Sequence, residues 1–188
     1  MRENGKEIGR LEPYNEIIEG LYLGDRIASE NKFILSNTGI THILSVGSGL
    51  YPKFPQKYTY KWVTELDAPS ANLKQHFAAC HKFINQAFAS GGRVLVHCHA
   101  GISRSATIVI SYLMREHGMN LAAATQLTRS KRWFINPNIG FRKQLKTFAC
   151  ELDQDRQENP LKYAEKKPIP FLPDISAAKT NGTIGSRS

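Results

Sequence analysis

The chain has 188 residues, 41% hydrophobic and 22% charged, a size and balance that suit one globular domain with a tail. Its formal charge of +9, from 25 Lys and Arg against 16 Asp and Glu, favours anionic partners, but no Lys/Arg cluster with interleaved aromatic residues points to nucleic acid. No apolar run is long enough to span a bilayer, "MRENGKEIGRLEP" has neither a signal-peptide core nor a Gly after Met1, and three Cys make no disulfide framework, so residence inside the cell, in cytoplasm or nucleus, is expected.

The first element is a short strand at Leu21–Leu23, followed by a turn and one helix that Asn37 and Gly39 stop. "ITHILSVG" is a β-branched apolar run closed by Gly47 and reads as a strand; "GSGLYPKFPQKY" is a loop; "YTYKWVTEL" alternates and reads as a strand. Asn72 is a plausible N-cap for a helix whose buried face holds Leu73, Phe77, Cys80, Ile84 and Phe88, and Gly91 and Gly92 end it. "RVLVHC" is a buried-type strand. "SRSATIVISYLMREHG" is an apolar helix ending at Gly118, with Arg115 and His117 placed for the dipole. "MNLAAATQLTRSKRW" and "NIGFRKQLKTFACELDQDR" supply two more helices. Strands alternating with helices predict an α/β fold, a central, mostly parallel twisted sheet flanked by helices. Residues 1–13 read as an N-terminal extension, 14–157 as the folded domain, and 158–188, rich in Pro, Lys, Ser and Gly, as an extended or disordered tail.

The chemistry concentrates in "LVHCHAGISRS". A loop that leaves a strand and opens a helix aims successive N–H groups into one concavity, and the helix dipole adds positive charge there. Gly101 permits the tight turn. Arg104, six residues after Cys98, supplies a planar fork for two phosphate oxygens. His99, Ala100, Gly101, Ile102, Ser103 and Arg104 thus form an expected phosphate cradle. A thiol in such surroundings ionises more readily than a free one, which makes Cys98 a candidate nucleophile toward phosphorus. Ser105 is placed to donate a hydrogen bond to that sulfur. His97, still on the strand, is expected to brace the loop. The reaction also needs a carboxylic acid to protonate the leaving oxygen and then activate water. Asp67, in the loop "DAPSAN", is the candidate, with Glu65 close by.

"VHCHAGISRS" resembles the signature H-C-x-x-G-x-x-R-S/T of the cysteine-dependent dual-specificity protein phosphatases. "IIEGLYLGD" resembles that family's first strand, "THILSV" the second, "LDAPSANL" its general-acid loop and "INPNIGFRKQL" its Pro-Asn-x-Gly-Phe segment, so the likeness covers roughly residues 14–152. The resemblance implies a protein-tyrosine-phosphatase-like fold and a small catalytic domain. It makes Cys98 the nucleophile, Arg104 the phosphoryl ligand, Asp67 the acid and then base, and Ser105 the aid to thiolate departure, with Asn138 as structural support. It implies no metal and no cofactor.

Other readings attach to the same residues. A zinc site from His97, Cys98 and His99, with His76, Cys80 and His81 upstream, is disfavoured because three consecutive residues rarely hold one tetrahedral ion. Cys80 is a core thiol with a redox pairing to Cys98 as the alternative, and Cys150 is peripheral. The loop carries no Lys for extra phosphates, which favours a phosphoprotein over a phosphoinositide, and the Ile-Ser-Arg-Ser ending fits phosphatases of RNA 5′-phosphates or glucans less well. A phosphoprotein-binding pseudophosphatase would lack Cys, Arg or acid, and all three are present. Rhodanese and arsenate-reductase chemistry fits the Arg-Ser close less well. In the tail, "KKPIPFLP" loosely resembles a kinase-docking peptide, making a protein kinase a candidate partner.

Overall fold

The structure, a computed structural model, describes residues 12–161, together with a separate antiparallel ladder of two two-residue strands, Arg2–Glu3 and Lys6–Glu7. Most of the expected extension and tail, including "KKPIPFLP", lies outside the described residues.

The main sheet has five strands: β1 Tyr14–Ile18, β2 Leu21–Gly24, β3 His42–Val46, β4 Thr59–Val63 and β5 Val94–His97. Their order is β1-β2-β5-β3-β4, with β1 antiparallel to β2 and the other pairings parallel. β5 is central: Val94 aligns with Leu21 on one side and His42 on the other. Its all-buried pattern explains the unbroken apolar run, because a central parallel strand is covered on both faces.

Side-chain alternation divides the core in two. Leu21, Leu23, Leu44, Val46, Val94 and Val96 face the larger cluster, under helices α3 (Phe77–Ala89), α4 (Arg104–Glu116), α5 (Leu121–Lys131) and α6 (Ile139–Glu158). Tyr22, Ile43 and Leu95 face the smaller cluster, under α1 (Arg26–Glu30) and α2 (Lys32–Asn37). α4 is buried almost all round, which accounts for its apolar sequence. Among the described residues, no helix is long and apolar enough to cross a membrane.

Three expectations need correction. The single helix after β2 is two, because Asn31 is extended and its Oδ1 accepts from the amides of Phe33 and Ile34, starting a second helix. The strand at Leu21–Leu23 is not the first: β1 precedes it, its alternation masked by Asn15 and Glu16, and joins it through the Gly20 turn. Asn72 does accept from Gln75 N, at 3.4 Å, but it opens a 3₁₀ turn at Lys74–His76, and α3 begins only at Phe77. Phe88 on the predicted face is half-buried.

The carboxyl ends of β2, β3, β4 and β5 point the same way. The loops that follow them therefore gather at one edge of the sheet, where open α/β folds place their sites.

Candidate active site

Cys98 follows β5 directly and is 1% exposed. Its Sγ accepts hydrogen bonds from the Gly101 amide (3.2 Å) and from the Ser105 hydroxyl (3.1 Å). Ser105 is fully buried in the first turn of α4, so its hydroxyl is held in place by packing.

The loop from Cys98 to Ser103 has a consistent polarity. Each carbonyl is held by a donor: Cys98 O by His97 Nδ1 (3.2 Å), His99 O by Arg26 N (3.1 Å) and Ala100 O by Arg132 Nη2 (3.4 Å). Gly101 O is held by Arg132 Nε (2.8 Å), Ile102 O by Asn136 N (2.9 Å) and Ser103 O by Thr107 N (2.9 Å). With the carbonyls so engaged, the loop's amides are left to face the concavity. That arrangement makes an anion nest at the N-terminus of α4. Gly101 has φ +66, and a Cβ there would lie 2.6 Å from both Gly24 O and Arg132 Nη2, so no other residue fits.

Arg132 is the residue that sequence reasoning missed. It is 1% exposed and spans from the loop to the segment before β1, donating to Glu12 O and Asn15 Oδ1, both at 2.8 Å. Its guanidinium stacks on Phe134 at 4.2 Å. Burial pushes its pKa down to about 10, with the charges of Asp25 and Cys98 opposing, and it stays charged at neutral pH. Nothing in "RSKRWF" separates Arg132 from its basic neighbours; only the aromatic residue two positions on hints at a buried guanidinium.

His97 points away from the sulfur. Its Nδ1–H donates to Cys98 O and its Nε2 accepts from Ser45 Oγ at 2.7 Å, across the Ser45–His97 register of β3 and β5. Burial pushes it down to about 4, so it is neutral at physiological pH. His99 lies on the exposed side of the loop, where its Nε2 donates to Ser48 O at 2.9 Å.

The acid loop after β4 meets this nest. Asp67 Oδ1 accepts from Ser103 Oγ (2.7 Å) and from Asn138 Nδ2 (2.8 Å), and its Oδ2 lies 3.6 Å from Arg104 Nε. Asn138 also caps α6 through Phe141 N and donates its amide to Ser103 Oγ. Gly140 lets α6 back directly against Pro69, which fixes the acid loop against the helix start. Glu65 turns elsewhere: its carboxylate binds His76 Nε2 (3.0 Å) and Gln75 Nε2 (2.9 Å), and only its backbone oxygen reaches Arg104 Nη1, at 3.2 Å. The structure thus brings Cys98, Ser103, Arg104, Ser105, Asn138 and Asp67 together and leaves the Glu65 carboxylate outside. Arg104 Nε is buried and makes no hydrogen bond, its ion-pair partner Asp67 Oδ2 standing 3.6 Å away.

Cys80 is buried on α3, and desolvation pushes its thiol up to about 12, so it stays protonated. Cys150 is exposed, off the buried Phe141–Leu145–Phe148–Leu152 face. His76 is paired with Glu65 and His81 with Ser111 Oγ (2.9 Å), and no group of three metal-ligating side chains forms among the described residues.

An anion nest with a thiol at its floor and a carboxylic acid at its rim, on a sheet of this order, defines a cysteine-based phosphatase class. The family model described as "Dual specificity phosphatase, catalytic domain" matches residues 21–151. Dual specificity protein phosphatase 1 of Arabidopsis thaliana is 49% identical over 129 residues, covering 69% of this chain and 65% of that protein. Dual specificity protein phosphatase 1B of the same organism is 42% identical over 146 residues, covering 78% and 84%. The human tyrosine phosphatase-like serine/threonine/tyrosine-interacting protein superposes with a TM-score of 0.71 at 35% identity, over 73% of this chain and 96% of that one. The chain belongs to the dual specificity phosphatase family, a class of protein phosphatases, and holds its catalytic domain.

Proposed function

We propose that this chain hydrolyses phosphotyrosine and phosphoserine or phosphothreonine monoesters of proteins through a phosphocysteine intermediate. The cradle residues 99–104 hold the phosphoryl group by amides and the Arg104 fork. The Cys98 thiolate attacks phosphorus, the bond from phosphorus to the ester oxygen breaks, and Asp67 gives that oxygen its proton. Asp67, now a carboxylate, takes a proton from water as the water oxygen attacks phosphorus. The P–S bond breaks, inorganic phosphate leaves, and the Ser105 hydroxyl stabilises the departing thiolate.

The observation that carries this reading is the donor set: outward-held loop carbonyls around the Cys98 sulfur, with the Arg104 guanidinium buried at the end of the same loop. A phosphate dianion engages the loop amides and the Arg104 guanidinium together, which a neutral ligand does not. The cradle carries no Lys for further phosphates, which supports a phosphoprotein over a phosphoinositide.

We place the catalytic domain at residues 14–157 and its action inside the cell, in cytoplasm or nucleus, where the thiol stays reduced. A protein kinase is the partner to test first, on the strength of the Lys166–Phe171 segment. The test of the chemistry is para-nitrophenyl phosphate turnover in the presence of a chelator. Wild type is expected to turn over, Cys98→Ser to be inactive, and Asp67→Asn to be slowed about 10²–10⁴-fold. Activity retained by Cys98→Ser overturns the mechanism. Phosphopeptide and phosphoinositide panels run side by side test the substrate class.

A further inference from the structure

From His117 to Cys150 the sequence has no Asp or Glu but six Lys or Arg: Arg129, Lys131, Arg132, Arg142, Lys143 and Lys146. Arg132 is buried beneath the anion loop, and the other five are exposed. The fold turns this stretch into α5, the α5–α6 connection and the first half of α6, and brings Arg129, Arg142 and Lys146 to one groove.

A slot of about 130 Å³ opens between the two helices, with Ile110, Leu121 and Leu145 as apolar walls and Arg129, Arg142 and Lys146 around it. Along α5 it runs into a broader hollow of about 690 Å³, with which it shares Leu121, Thr125 and Arg129. At its other end lie Asn136 and Pro137, immediately before Asn138, which touches Asp67. The groove therefore leads away from the edge of the active site.

Its charge is uncompensated. Arg129 Nη2 donates to Ile135 O (3.2 Å) and Arg142 Nη1 to Asn136 Oδ1 (3.1 Å), both neutral acceptors. Among the described residues, none of Arg129, Arg142, Lys143 and Lys146 pairs with a carboxylate. Cations ringing an apolar slot fit a peptide that carries acidic side chains and one apolar side chain to insert. An anionic bilayer is a poorer fit, because membrane attachment uses protruding apolar groups and this surface is concave. We infer that the α5–α6 groove docks an acidic, apolar-containing segment lying beside the phosphorylated residue of the protein substrate, a reading that rests on the proposed phosphatase activity.

The test uses the whole chain and the double variant Arg129→Glu/Lys146→Glu, whose residues are exposed and make no contact with Cys98, Arg104 or Asp67. Three substrates are compared: para-nitrophenyl phosphate, a phosphotyrosine peptide flanked by several Glu and a Leu, and the same peptide with Gln for Glu. Wild type is expected to prefer the acidic peptide by roughly tenfold in kcat/KM, mostly through KM and less so at high salt. The double variant is expected to lose that preference while its para-nitrophenyl phosphate turnover stays within about twofold, which also shows that it is folded. A preference absent from wild type, or intact in the double variant, overturns the docking groove. So does sedimentation of wild type but not the variant with phosphatidylserine vesicles, if the peptide preference is unchanged. Failure of wild type to cleave para-nitrophenyl phosphate strikes the phosphatase reading instead, so the two failures are told apart.

Discussion

Acidification should destabilise this protein through His97. The ring is buried between two neutral partners, donating from Nδ1 to Cys98 O and accepting at Nε2 from Ser45 Oγ. A second proton would force the Ser45 hydroxyl to turn and would leave a buried cation without a carboxylate. Burial sets the folded pKa at about 4, against 6.5 for an ordinary histidine. Between those values the unfolded chain binds more protons, so the contribution is fully present above the unfolded pKa and is lost as pH falls toward the folded one. Linkage puts the loss at about 2 kcal/mol by about pH 5 and about 3 kcal/mol by about pH 4. Urea unfolding of wild type and His97→Asn across this range isolates the effect from the carboxylates, which titrate in both. The variant starts less stable, and the gap should close by about 2 kcal/mol between about pH 7.5 and about pH 5. A gap that stays constant over that interval would refute the reasoning.

Arg132→Met removes the donors that hold the Ala100 and Gly101 carbonyls outward and leaves Glu12 O without its bond; unfolding midpoints should show a loss of about 3 kcal/mol, with turnover falling. Asn15→Ala, which removes a single acceptor, should cost about 1 kcal/mol and leave turnover near wild type. Glu65→Gln should keep para-nitrophenyl phosphate turnover within about twofold, whereas Asp67→Asn should not; a large loss in the Glu65 variant would reverse the assignment of the acid. Ser105→Ala should slow the second step more than the first, visible in rapid-quench traces as a larger burst of nitrophenol and accumulating phosphoenzyme; proportionate slowing of both steps would assign Ser105 to loop support instead.

The inner strands were legible because each is an apolar run covered on two faces, as at "RVLVHC" and "THILSV", and edge strand β4 was legible by its alternation. β1 was not, since an edge strand with polar Asn15 and Glu16 carries half the signal. The break between α1 and α2 hid in one Asn whose cap bonds no apolar periodicity reports. At the site, Cys98, Arg104 and Ser105 were readable as a motif because one local turn sets their geometry. Asp67 was the candidate acid from its loop and its resemblance, with Glu65 close by, but the way each carboxylate turns depends on contacts from Ser103, Asn138, His76 and Gln75, elsewhere in the chain. Arg132 was illegible for the same reason. Its acceptors come from four separate positions, and among basic neighbours only Phe134 hints that this one is buried.

The reach of Arg132 back to Glu12 bears on how this protein is born. During synthesis the reactive sulfur leaves the ribosome well before the guanidinium that shapes its surroundings or the amide of Asn138 that steadies the acid loop. A half-made chain carries the thiol without the pocket, and it has no means of stripping phosphate from its neighbours in the polysome. On the proposed mechanism, competence waits until the late helices dock onto the early strands and bring Arg132 and Asn138 to the site.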